Sequence, residues 1–224
     1  MNRSVLSSTT LLVASLAVMA AGTAGVIGEL SPYFTAGANA DQRITALASY
    51  SYRPGASTTS RSLILDDCHA VTNSLLGLAQ SSARRDALVT ACIDYATAFV
   101  TESPVNSRGW LISAEMAADL DNPDAFNHGL AMSRLTAPGS NWMADDRIQL
   151  ARAHVGWLDE VNREGLAADI RLLMLTESGT QFLAELYNGD PDFREQLTSV
   201  IETVDNERQQ RFLQIYARLS GAVK

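Results

Sequence analysis

The stretch Asn106 to Pro138 constrains this chain most, because both of its helices carry their own start and stop signals. Asn106 or Ser107 can cap a first helix. In that helix Trp110, Ala114 and Ala117 form one stripe, and Ile112, Met116 and Leu120 form another. A helix apolar on two faces has to be covered on two sides. Asn122 is a good N-cap, and Pro123 suits the first helical position, where a missing N–H costs no bond. Asp124 then lies at the positive end of the helix dipole. Phe126, Leu130 and Ser133 continue to Pro138-Gly139, which stops the second helix. The product is a helical hairpin that needs helical neighbours.

The rest of the chain supplies them. Arg61 to Ala79 reads as one helix with Leu65, Cys68, Thr72, Leu75 and Ala79 on a stripe. Gln80-Ser81-Ser82 breaks it, and Ala83 to Val100 follows with Ala87, Leu88, Ala91, Cys92, Tyr95 and Phe99 apolar. Asn141 to Asn162 reads as one long helix with Ile148, Ala151, Val155 and Leu158 aligned, and Trp142 and Trp157 as packing anchors. Gly165 to Glu177 is apolar nearly all round and should be central, with Ser178-Gly179 ending it. A short helix over Gln181 to Tyr187 comes next. Asp190-Pro191 opens a helix whose inner face holds Phe193, Leu197, Val200, Ile201 and Val204. Phe212, Ile215, Tyr216 and Leu219 carry the pattern on to Gly221. No stretch alternates like a strand. The expected fold is all-α: antiparallel helical hairpins stacked in a compact domain over residues 61–224.

Trp110, Ala114, Leu130, Ser133 and Pro138 occupy positions that resemble a tetratricopeptide repeat, a family with a 34-residue period. Pro104 and Pro138 are 34 residues apart, and each follows a helix. The resemblance covers about one and a half units; Ser113, Ala117 and Phe126 depart from the family's preferences. It implies a stack of α-hairpins that binds protein, and it implies no catalysis. More loosely, a short span, one such hairpin and further helices is a plan similar to small membrane-anchored proteins of polysaccharide-producing proteobacteria. Asn106 to Trp110 and Met132 to Pro138 carry that likeness. It implies an inner-membrane protein that supports polysaccharide synthesis or export.

After a short tail over residues 1–10, Leu11 to Leu30 carries Glu29 as its only charge. Such a run is long enough to cross a bilayer as a helix. It also has the outline of a secretory signal, with small-residue cleavage points after Ala24 and Ala40. A simple buried helix is the third reading. Arg3 on the inner side puts the main domain outside the cytoplasm, either as a single-pass periplasmic domain or as a secreted one. Residues 31–60, with Ser31-Pro32 and Arg53-Pro54-Gly55 as breakers, read as a spacer between membrane and domain, with a short helix near Gln42 to Tyr50.

The formal charge is −8, and the basic residues are almost all arginine, Lys224 being the only lysine. No basic cluster exists beyond Arg84-Arg85, which excludes a nucleic-acid face and argues against an anionic membrane surface as partner. Cys68 and Cys92 are the only cysteines, and their midpoint is residue 80, in the predicted turn. In an antiparallel hairpin they lie at one level, so they could form a disulfide in an oxidising compartment or remain two buried thiols. Cys68-His69 lacks the second pair that a metal site needs. Asp66, Asp67 and His69 are the nearest approach to acid–base chemistry, although neighbouring carboxylates on a helix diverge. Asp145-Asp146 suits a helix first turn, and His128 and His154 stand singly. There is no phosphate loop, His-Glu-x-x-His or nucleophile elbow. Neither catalytic residues nor a cofactor or metal are expected. Three functions stay open: an anchored scaffold for envelope proteins, a glycan hydrolase using Asp66 or Asp67, and a structural subunit of a membrane complex.

Overall fold

The computed structural model describes residues 3–36 and 38–221; Lys224 lies outside them. Among the described residues every regular element is helical: twelve α-helices, two short 3-10 turns and no strand. The all-α fold with stacked antiparallel helices is therefore the observed one. The chain divides into two units, Met1–Tyr95 and Ala96–Lys224.

The first unit holds α1 (Arg3–Ala36), α2 (Ala40–Ala48), α3 (Thr58–Thr72), α4 (Leu75–Leu78) and most of α5 (Ser82–Glu102). Leu11–Phe34 within α1 is long and apolar enough to cross a membrane. Within Leu11–Phe34 protein cover begins near the end, where Gly28 and Glu29 are half-buried and Pro32 is buried. Residues 31–60 contain α2, which is fixed by a capping box between Asn39 and Gln42 and buries Ile44 and Leu47. Tyr52 is buried in the same region. α3 and α5 are joined by a disulfide between Cys68 and Cys92, whose Cα atoms are 5.7 Å apart.

The helix expected over Arg61 to Ala79 stops at Thr72. Asn73 Nδ2 donates to the His69 carbonyl at 2.9 Å, and Ser74 caps α4 by accepting from the Gly77 N–H at 2.9 Å. The turn requires glycine at 77, because a Cβ there would lie 1.9 Å from the Val71 carbonyl oxygen. The cost of this turn is exposure. Leu75, which the helical stripe places inside, is 87 % exposed, and Leu76 and Leu78 are exposed beside it.

The second unit holds the end of α5, then α6 (Ser107–Asp119), α7 (Pro123–Thr136), α8 (Asn141–Ala153), α9 (Glu160–Leu173), α10 (Glu177–Gly189), α11 (Arg194–Ile201) and α12 (Asn206–Leu219). The Asn106 side chain accepts from the Gly109 N–H at 2.7 Å, and that of Asn122 accepts from the Ala125 N–H at 3.1 Å. Both caps therefore work as their sequence signals indicate. Phe126, Leu130, Met143, Ile148, Ile170, Leu183, Leu197 and Phe212 share one buried core. Each such side chain, fully buried, contributes about 1.5–3 kcal/mol before entropy is counted.

Three boundaries differ from expectation. The long helix over Asn141 to Asn162 is broken: α8 ends at Ala153, a 3-10 turn spans Val155–Trp157, and α9 begins at Glu160. Asn127 of α7 holds the break. Its Nδ2 donates to the Trp157 carbonyl at 2.7 Å and its Oδ1 accepts from the Asp159 N–H at 3.1 Å. Ser178-Gly179, expected to end a helix, instead lies in the first turn of α10, which Thr176 caps. Glycine is needed there because a Cβ at 179 would meet the Leu173 carbonyl oxygen at 2.4 Å. Val204 falls beyond the end of α11.

Candidate functional site

Of the five residues that carry the repeat resemblance, Ala114, Leu130 and Ser133 are buried within the α6–α7 hairpin. Trp110 is half-buried: its Nε1 donates to the Pro104 carbonyl at 2.8 Å, and its ring meets His128 edge-on at 5.5 Å. Pro138 is exposed, two residues past the end of α7. The residue that sets the hairpin's tightness has no place in that set. A Cβ on Gly129 would lie 2.9 Å from both the Ala114 nitrogen and the Trp110 carbonyl oxygen. Ser107 Oγ closes the other end of the hairpin, donating to the Ser133 carbonyl at 2.7 Å.

Behind the hairpin lies a charge cluster that no local pattern reveals. Arg147 and Asp169 are each 1 % exposed. The guanidinium grips the carboxylate with two bonds, Nε to Oδ2 at 2.9 Å and Nη2 to Oδ1 at 2.7 Å. Arg134 Nη2 donates to the same Oδ2. Arg134 can lie flat on α9 because a Cβ at Gly165 would fall 2.5 Å from its Nε. Burial lowers the Arg134 pKa, opposed by the pull of Asp169 and reinforced by the Arg147 charge. The cluster ties α7, α8 and α9 together. Its chemistry is positioning, because both carboxylate oxygens are occupied.

The outer surface of the second unit carries large apolar side chains. Leu135 is 72 % exposed and Trp142 60 % exposed, on either side of the Pro138-Gly139 turn. Trp142 is thus not a packing anchor. It sits in the first turn of α8, whose inward positions are taken by Met143, Ala144 and Arg147. Trp157, by contrast, packs against Phe126 and His154 at 5.8 and 4.8 Å. A cavity of about 260 Å³ opens elsewhere in this unit; Val155, Leu158, Leu166, Ile170 and Val200 line it, and Arg163 is its one charged lining residue.

In the first unit the carboxylates diverge. Asp66 is exposed and Asp67 is buried. Asp67 Oδ1 accepts from Arg43 Nη1 at 2.9 Å, and Oδ2 accepts from the Tyr52 hydroxyl. Burial, then that hydrogen bond, raises the Tyr52 pKa. The Tyr95 hydroxyl donates to the Tyr52 carbonyl at 3.2 Å, and burial pushes its pKa up to about 12. These groups brace the loop before α3. His69 Nδ1 lies 3.4 Å from Asn73 Nδ2. Among the described residues no three His, Cys, Asp or Glu side chains gather to hold a metal. Comparison with protein families, with curated proteins and with solved structures finds no match to this chain.

Proposed function

We propose that this protein is a membrane-anchored helical adaptor whose second unit binds an envelope protein. The observation that carries the reading is the exposed pair Leu135 and Trp142 on a rigid helical scaffold. Exposed aromatic anchors of this kind concentrate binding energy at protein interfaces. The repeat-like hairpin, with its capped helices and buried Ala114, Leu130 and Ser133, is a suitable platform. The reading is non-catalytic and requires no cofactor. A polysaccharide synthesis or export assembly is the first place to look for the partner.

The anchor reading of α1 is favoured over a cleaved signal. Cleavage after Ala24 would part most of the span from Glu29 and Pro32, and cleavage after Ala40 would cut α1, Glu29 included, from the chain that carries Ser57. The cystine supports an oxidising compartment, hence a single-pass inner-membrane protein with its main domain in the periplasm. Trapping with a maleimide in intact membranes should leave Cys68 and Cys92 unlabelled until a reductant is added; labelling without reductant would contradict this placement.

A photo-crosslinking residue at position 142 of the full chain, in native membranes, should capture a discrete envelope protein. Leu135→Asp should abolish the adduct. An absence of adducts at 142, together with loss of phenotype in Asp66→Asn with His69→Gln and an unchanged fold, would instead restore the hydrolase reading.

A further inference from the structure

Protein contact along α1 begins at a definite level. From Leu11 to Ile27 every side chain is exposed, and a Cβ added at Gly22 or Gly25 would meet nothing within 4 Å. At Gly28 it would meet the Gly55 Cα at 4.0 Å. One residue on, the Glu29 carboxylate accepts from the Ser57 N–H at 2.8 Å and from the Ser57 hydroxyl. Gly55 permits that approach, since a Cβ there would lie 2.5 Å from Glu29 Oε1. Beyond the clamp, Tyr33 and Phe34 are 52 % and 77 % exposed.

Helical rise converts these positions into depths. Leu11 to Gly28 is 18 residues, about 27 Å, close to the ~30 Å hydrocarbon core. Tyr33 and Phe34 follow about 7–9 Å later, the level at which aromatic rings sit among headgroups. Gly55 and Ser57 are fastened to α1 between those two levels, so they cannot lie in bulk water while α1 spans. α3 leads away from this level. Its first residues adjoin Glu29, whereas α2, which follows the far end of α1, meets the start of α5 through Arg84, 2.9 Å from Asp41 and 2.7 Å from the Thr45 hydroxyl. The 15 residues of α3 therefore carry the α4 tip about 22 Å from Ser57.

Charge agrees with depth. The chain as a whole is at −8, yet Gln42 to Leu65 contains no acid; of its three arginines, Arg43 is paired with Asp67 and Arg61 donates through Nε to the Gly55 carbonyl. Arg53, Pro54, Ala56 and Ser57 are exposed. The net charge that argues against an anionic surface as partner thus leaves an exposed cation, Arg53, beside the span. Resting on the anchor reading, we infer that the loop Arg53–Ser57 is a second membrane contact, seated in the headgroup layer with Arg53 against phospholipid phosphates.

The full chain in nanodiscs of phosphatidylcholine and phosphatidylglycerol tests this. Nitroxide labels at Ala20→Cys, Ala56→Cys and Leu78→Cys report depth through collision with oxygen and with a water-soluble nickel chelate. The label at 20 should be deep in hydrocarbon, and that at 78 fully aqueous. At 56 nickel accessibility should be several-fold below that at 78, and Arg53→Glu should raise it. If 20 is deep while 56 matches 78, the anchor stands and the loop contact falls. If 20 itself is aqueous, the anchor falls and the loop contact with it. No response to Arg53→Glu would remove Arg53 from the contact.

Discussion

Within Ala96–Lys224, seven helices contribute side chains to one apolar core, and the buried charge behind the α6–α7 hairpin is fully paired. Within Met1–Tyr95 cohesion is carried by fewer and more specific bonds: a cystine, an aspartate held by Arg43 and Tyr52, and a glutamate of α1 clamped on Ser57. The reason is size. Most of α1 has no protein cover, so the first unit builds its core from fewer helices, one of them the four-residue α4, and small cores need staples. The second unit has enough apolar volume to bury a charge pair deeply; the first uses polar bonds and a crosslink to hold its shape.

The sharpest break of this comparison is Asp169→Ala. It leaves Arg147 buried without its carboxylate and should destabilise the second unit by about 3–5 kcal/mol. Hydrogen exchange on α7–α9 amides reads it, with the first unit little changed. An effect below about 1 kcal/mol would mean that water replaces the carboxylate. Cys68→Ser with Cys92→Ser should cost the first unit roughly 3–4 kcal/mol, from the entropy of closing a loop with a separation of 24. The measure is a shift in the denaturant midpoint of α3 and α5 exchange; equal loss in both units would erase the distinction drawn between them. Gly129→Ala should cost about 1–3 kcal/mol, because the new methyl meets backbone rather than a movable side chain. A thermal melt of the variant checks it, and a neutral result would show that α6 and α7 can separate freely.

Asp145→Asn is the smallest effect and has the opposite sign. Asp145 Oδ1 is buried without a donor, and burial, then the neighbouring Asp146 charge, raises its pKa. A carboxyl with a raised folded pKa is least costly when protonated, below its unfolded value, and weakens the fold as pH rises through the folded value. The amide variant should therefore be more stable at pH 7, by about 0.5 kcal/mol after screening by solvent. The gain should vanish near pH 3. Urea titrations at the two pH values measure it, and a gain that persists at pH 3 would assign the effect to something other than charge.

The caps at Asn106 and Asn122, the breaks before Pro104 and Pro138, and the level pairing of positions 68 and 92 are all legible in the chain. Each depends on neighbours within a turn or on symmetry about one turn. Trp142 and Leu75 misled for a related reason: periodicity says which residues share a face, but not whether anything covers that face. The charge cluster was invisible because Arg134, Arg147 and Asp169 come from three helices.

What the sequence by itself determines is the helical nature of the chain, a span apolar enough for a bilayer, and one hairpin with its caps, since all follow from local backbone and side-chain preferences. Tertiary structure decided where the helices stop. Asn127 breaks the run after His154 by bonding across to Trp157 and Asp159, and Gly77 and Gly179 allow turns that a side chain would block. It also decided what Glu29 is for. In the sequence it is a lone charge at the end of an apolar run; in the fold its carboxylate meets the backbone and hydroxyl of Ser57, 28 residues away. A hydrogen bond over that separation depends on how the helices pack, and packing has no local signature in the chain.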